Sequence, residues 1–404
     1  MQNAYLGKPM TSLTSPTAQT KQRILPIIVI AQFFCTSLWF AGNAVMADLV
    51  QQFHFDPAYL AHLTSAVQSG FIIGTLVFAV FSISDRFSPS LIFFVCAIIA
   101  ALANLCVSLD AIGVNQLIGI RFITGFFLAG IYPVGMKIAA DHYQKGLGRS
   151  LGFLVGALVL GTAFPHFLKS INGIPWHYII FSTSILSVIG GLSIFVFVPD
   201  GPYRTISQKL SLKAFVKGFG NKNFRAVAFG YFGHMWELYA FWVFVPVILL
   251  SYNHHHPNAQ FNIPLLSFLI IASGGLACML SGILANRFGT KKIATIALGI
   301  SCGCCLVSPL ILSNGSPMVL TIFLLIWSMA VIADSPLFST LIAQNADAAY
   351  KGSSLTIVNC IGFSITIISI QLISAFRTET NANYIYMILA LGPILGLIAL
   401  FRKD

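Results

Sequence analysis

The chain has 404 residues, of which 57% are hydrophobic and only 8% charged, with 35 phenylalanines. An ordinary soluble domain carries roughly 25% charged residues, so most of this surface has to face lipid rather than water. Its 22 Lys and Arg outnumber 11 Asp and Glu, but they sit mostly in short loops between apolar runs, which marks membrane orientation rather than nucleic-acid binding.

Residues 1–24 are polar and lack the apolar core and cleavage site of a signal peptide, so they read as a cytoplasmic tail before a retained first helix. A membrane-spanning helix needs about 20 mostly apolar residues. Runs of that kind lie near 25–47, 60–83, 91–109, 114–140, 150–169 and 176–198. After a polar stretch at 199–224 they resume near 225–251, 264–285, 293–313, 317–345, 352–376 and 382–401. The pattern predicts an all-α membrane protein of twelve transmembrane helices in two six-helix bundles, 25–198 and 225–404, joined by a cytoplasmic loop at 199–224. Arg121 and Lys137 fall within apolar segments; of the other Lys and Arg, only Lys169 and Arg377 fall in loops that alternate to the far side. That asymmetry predicts both termini inside the cell. The eight cysteines all lie in apolar runs, and Cys302, Cys304 and Cys305 read as small packing residues rather than a metal or redox cluster.

The halves repeat. Ser84-Asp85-Arg86-Phe87 after the second segment matches Ala285-Asn286-Arg287-Phe288 after the eighth. Gly148, Ser150 and Leu151 match Gly352, Ser354 and Leu355, and Pro133 matches Pro336. Duplicated units of this kind are characteristic of secondary transporters, which rock one half against the other around a central site.

These residues resemble the major facilitator superfamily over nearly the whole chain. Gly282 to Lys292, with Asn286-Arg287-Phe288-Gly289 at its centre, is similar to the family's signature loop. The first-half copy, Ser84 to Ser90, keeps the Asp-Arg pair but lacks both glycines. Leu117, Arg121, Gly125, Ala129 and Gly130 are similar to the helix-four motif of proton-coupled members. Helix five has Gly152, Gly156 and Gly161 but not the Gly-Pro dipeptide of the antiporter signature, which leans away from drug export. The resemblance implies a central cavity lined by the first, fourth, seventh and tenth helices.

A cytoplasmic latch is expected at Asp85 and Arg86, with a weaker copy at Asn286 and Arg287, because a carboxylate beside a guanidinium can bridge helix ends. Ionisable groups inside a membrane are costly and mark pathways. Counting about 1.5 Å per residue, Glu237 lies about 18 Å from the inner surface, Asp334 about 16 Å, and Arg121 about 9 Å from the outer one. Lys137 lies near the end of its segment, where it can snorkel, and reads as an orienting charge. The sequence therefore predicts Arg121 of the first half facing Glu237 and Asp334 of the second. His234, three residues before Glu237, shares a helical face with it and could relay a proton. These four are the proton-coupling candidates. Candidates for the substrate cavity are Trp39, Asn43, Arg121, Trp236, Tyr239, Trp242 and Asn359, flanked by Gln68 and Gln371. The pairs Gly70/Gly74 and Gly152/Gly156 predict close helix approach. His254, His255 and His256 read as a solvated outer loop.

No zinc-protease helix, phosphate-binding glycine loop or nucleotide-binding domain is visible, which argues against an enzyme and an ATP-driven pump. No cofactor or metal is expected. The expected protein is a monomeric multi-pass transporter of a cell membrane, read as a bacterial inner membrane, moving a small organic solute with protons. Uniport and drug or siderophore export are alternatives within the fold, and a non-transporting receptor or sensor is the alternative from another class.

Overall fold

The computed structural model describes residues 18–402 apart from 57, 110–111, 144–146, 205–209, 213–215, 217 and 348–349. The first polar tail and much of the central loop thus lie outside the described residues. Within them the chain forms helices and turns, with no strand. The first half contains α1 (Ala18–Thr36), α2 (Tyr59–Val80), α3 (Pro89–Leu105), α4 (Val114–His142), α5 (Leu147–Ser170) and α6 (Trp176–Phe197). The second contains α7 (Lys222–His255), α8 (Ile263–Phe288), α9 (Thr290–Asn314), α10 (Pro317–Asn345), α11 (Lys351–Phe376) and α12 (Ile385–Phe401). Among the described residues, the ten helices α2 to α11 are long and apolar enough to cross a membrane. The apolar part of α1 (Ile24–Thr36) and α12 are shorter. The chain after α1 breaks at Ser37–Phe40 and continues through short helices Ala41–Ala44 and Met46–Phe53, which complete the first crossing.

Local chemistry sets the helix ends. Asn221, Asn262 and Ser316 cap α7, α8 and α10 by accepting hydrogen bonds from backbone N–H groups of the first turn, satisfying donors that a helix start leaves open. The expected histidine loop is instead the end of α7: His254 and His255 belong to its last turn, and His256 stacks on Tyr252 with ring centroids 4.1 Å apart. Cationic or dipolar side chains suit the carbonyl-rich end of a helix. One residue, Gly289, joins α8 to α9 at φ 95, a conformation costly for any residue with a Cβ. The first-half copy has Ser88 at φ −58 there, and instead turns earlier, at Ser82 with φ 50.

Two helices are broken at matching places. α4 divides into Val114–Leu128 and Tyr132–His142, and α10 into Pro317–Ala333 and Ser335–Asn345. Pro133 and Pro336 stand at the start of the second arms. A proline removes a backbone donor and clashes with the preceding turn, so the bends have a local cause. Asp334 is the junction residue of α10.

Within each half, glycine permits close approach. A Cβ on Gly125 of α4 would strike the Val67 carbonyl of α2, and one on Gly70 the Phe122 carbonyl. Between halves, α5 packs along α8 and α2 along α11. Gly156 and Gly275 face each other across the first of these contacts, each Cβ position lying 3.3–3.4 Å from the other's carbonyl oxygen. The expected partner glycine, Gly152, meets nothing within 4 Å. The α2–α11 contact carries hydrogen bonds between halves: Thr366 donates to Gln68 at 2.6 Å, Gln371 donates to Ser65 at 2.8 Å, and Cys360 Sγ donates to the Ile72 carbonyl at 3.9 Å. The first two lie in the half of the bundle remote from the described chain ends, the third nearer the middle.

Candidate functional site

Arg121 is fully buried on α4, but it does not face the carboxylates. Its Nη2 donates to the carbonyls of Leu38 at 3.0 Å and Trp39 at 2.6 Å, and its Nη1 to Asn104 Oδ1 at 3.2 Å. Leu38 and Trp39 lie in the break after α1, where carbonyls lose their helical partners. The guanidinium therefore satisfies a broken helix within its own half. The expected pairing across the halves is not formed, because Arg121 is turned toward α1 and α3. Asn104, which sequence reading passed over, also donates to the Ile180 carbonyl, Thr183 and Ser184 of α6, tying α3, α4 and α6 together.

The two acids separate into different environments. Asp334 Oδ1 lies 2.7 Å from His234 Nδ1, with both side chains fully buried. The histidine thus meets the acid at the α10 junction rather than its helical neighbour Glu237. Glu237 turns instead toward α9 and α10. Its carboxylate accepts from Trp327 Nε1 at 2.6 Å, Ser301 Oγ at 2.9 Å and Cys305 Sγ at 3.2 Å. Three neutral donors hold this group, and one of them belongs to the cysteine cluster expected to be packing only. These hydrogen bonds tie α7 to both α9 and α10.

Aromatic rings fill the junction between the halves. Trp39 stacks on Tyr239 with centroids 5.8 Å apart and also meets Phe71 and Phe363. Tyr239 packs against Trp242, which meets Phe40 edge-on, and Phe40 in turn meets the His166 ring. Trp39 and Trp242 are both fully buried. Several polar atoms of these residues have no hydrogen-bond partner, namely the indole Nε1 of Trp39 and of Trp242 and His166 Nε2; the Gln32 amide of α1, beside Gly135 of α4, is also unmatched. Native interiors rarely leave such groups unmatched, so this is where a polar solute or water can be recognised. His166, Gln32, Phe71 and Phe363 were not among the expected residues. No motif marks them in the sequence, and rotation about the helix axis decides that His166, Phe71 and Phe363, rather than the other polar and aromatic residues of their helices, reach these rings.

The other expected residues are dispersed. Trp236 is turned to α12, where its Nε1 donates to the Ile388 carbonyl at 3.0 Å. Asn43 donates to Thr64 at 2.7 Å, within the first half, and Asn359 accepts from Tyr231 at 2.7 Å, within the second. At the expected latch, Asp85 pairs not with Arg86, which is exposed, but with Lys137 of α4 at 3.0 Å. Arg204, beyond α6, adds hydrogen bonds to the carbonyls of Asp85 and Phe87. Asn286 and Arg287 are exposed, and Arg287 lies over the Phe288 ring at 5.2 Å.

Known proteins with this architecture fit the same picture. A crystal structure of a mutant of the nucleoside transporter NupG superposes with a TM-score of 0.73, covering 94% of this chain and 100% of that one at 16% identity. The human organic anion transporter MFSD10 (TETRAN) gives 0.70 over 94% of this chain and 99% of that one at 14% identity. In sequence, the uncharacterized transporter C757.13 of Schizosaccharomyces pombe (strain 972 / ATCC 24843) is 24% identical over 373 residues, covering 82% of this chain and 67% of that protein. The family model of the Major Facilitator Superfamily matches residues 28–370. The chain is therefore a multi-pass membrane transporter rather than an enzyme, and it belongs to the Major Facilitator Superfamily.

Proposed function

We propose that this protein is a proton-coupled secondary transporter of a small organic solute, with His234 and Asp334 carrying the proton. The observation that carries the reading is their 2.7 Å contact, fully buried, between α7 and the junction of the two arms of α10. Adding a proton to Asp334 removes the negative charge that faces the His234 ring. Buried charges depend strongly on their partners, so the proton changes how firmly α7 holds the α10 bend. A bend that yields to protonation is a means of coupling proton movement to alternating access. Glu237, with three neutral donors already in place, positions α7, and Arg121 positions the broken α1.

The solute site in this reading lies among Trp39, Tyr239 and Trp242, where aromatic faces and unmatched polar atoms converge. The cargoes named for the two solved neighbours, nucleosides and organic anions, are both small organic molecules. The charge asymmetry of the loops supports cytoplasmic termini, and we place the protein as a monomer in a bacterial inner membrane, with functional halves at 25–198 and 225–404.

The test begins with a melting-temperature screen of purified protein against metabolites and drugs, followed by uptake of the hit into vesicles under an imposed pH gradient. Asp334→Asn is expected to reduce gradient-driven accumulation at least ten-fold while sparing gradient-independent exchange, and Glu237→Gln to retain the gradient response. Full gradient response in Asp334→Asn defeats the assignment. Exchange in the parent that ignores the gradient makes the protein a uniporter, and binding without flux makes it a receptor.

A further inference from the structure

A groove of about 1120 Å³ lies away from the central junction, where α7 and α9 begin and α12 ends. Lys222, Arg225, Lys291, Lys292 and Arg402 line it, with no Asp or Glu among the lining residues. Exposed apolar side chains share its rim: Phe229 is 45% exposed and Ile296 47%. Cations and exposed hydrocarbon thus share one concavity at the ends of membrane-spanning helices.

Two features set this cluster apart from ordinary orienting charge. The first is its placement on the helices. Lys291 and Lys292 open α9, and Lys222 and Arg225 open α7, with no acidic residue in either first turn. Positive side chains at the positive end of a helix dipole add to its field, so Lys291 and Lys292 favour an anion beside the start of α9. The second is its asymmetry. In the aligned signature loops Lys291 and Lys292 replace Ser90 and Leu91 of the first half, and Arg402 after Phe401 replaces Val198 after Phe197. The first half keeps its place in the membrane without cations at these positions, so orientation alone does not require them.

We propose that this groove binds the phosphate headgroup of an anionic phospholipid, with the acyl chains running along Phe229 and Ile296. The cations supply charge complementarity for a phosphodiester, and the apolar rim suits a ligand that is itself anchored in the bilayer. A free phosphate would satisfy the cations but leave the rim unused.

Native mass spectrometry of the full chain, delipidated in detergent and titrated with phosphatidylglycerol or phosphatidylcholine, tests this. Phosphatidylglycerol is expected to bind at least ten-fold more tightly than phosphatidylcholine. Each cation removed among K291Q, K292Q and R402Q should weaken it about five-fold, while K351Q, an exposed charge elsewhere at the same end, leaves binding unchanged. Inorganic phosphate at equal concentration should not displace the lipid. Equal affinity for the two lipids, an unaltered triple variant, an equal loss in K351Q, or displacement by phosphate overturns the proposal. Melting temperatures in lipid-free detergent check the fold, and if the triple variant melts early the single variants K292Q and R402Q carry the comparison.

Discussion

Asp85 shows how much a single partner matters. Paired with Lys137 at 3.0 Å, with side chains only 8% and 18% exposed, it joins the α2–α3 connection to the end of α4. Removing one partner leaves the other partly buried and uncompensated, so Lys137→Gln should lower stability by about 1–3 kcal/mol. Adding Asp85→Asn to Lys137→Gln should cost little more. A double-mutant cycle followed by thermal unfolding in detergent measures this, and additive losses would show that the pair does not couple. Residue by residue, the sequence revealed depth but not direction. Helical rise placed Arg121, Glu237 and Asp334 well inside the membrane, where the structure has all three fully buried. Which neighbour each one meets depends on rotation about the helix axis. On that coordinate Arg121 turns to α1, Glu237 to α9, and Lys137, discounted for its ability to snorkel, turns to Asp85.

At the level of helices, hydropathy alone located the spans, because lipid demands about 20 apolar residues per crossing. It could not show where a span breaks. The interruption at Ser37–Phe40 has no proline or glycine to announce it, and its exposed carbonyls become intelligible only with Arg121 beside them. Pro133 and Pro336 were visible as a repeat, whereas Asp334 as the hinge residue of α10 was not. The glycine motif of α4 allows a controlled comparison on one helix. Gly125 lies against the Val67 carbonyl, while Gly119 has nothing within 4 Å. Gly125→Ala should destabilise by about 1–3 kcal/mol through overpacking. Gly119→Ala should instead stabilise by up to about 1 kcal/mol through helix propensity. Unfolding temperatures of the two variants should therefore move in opposite directions; a shared direction contradicts the packing seen here.

For the whole molecule, the side-chain pairs between α2 and α11 are gathered toward the end remote from the described chain ends: Gln68 with Thr366, and Ser65 with Gln371. At the opposite end the same two helices border a pocket of about 150 Å³ lined by Asp85, Lys137 and Ser353. If transport requires the remote end to part, covalent closure there has to stop it. Cysteines at Ser65 and Gln371, in a background lacking the native cysteines, should abolish flux on oxidation and restore it on reduction. Flux that persists through complete cross-linking would show that this contact does not open. The duplicated architecture was legible from matched loops, since repeats survive in sequence. The closure between halves was not, because it depends on residues from distant segments meeting at one seam. The stacking of Trp39 on Tyr239 across that seam has an optical consequence. Indole emission depends on its immediate surroundings, so parting of the halves should shift the intrinsic fluorescence of Trp39 without any attached dye. A variant that keeps Trp39 and replaces the other four tryptophans carries a built-in spectroscopic clock for the cycle, readable in stopped flow when solute or protons are added.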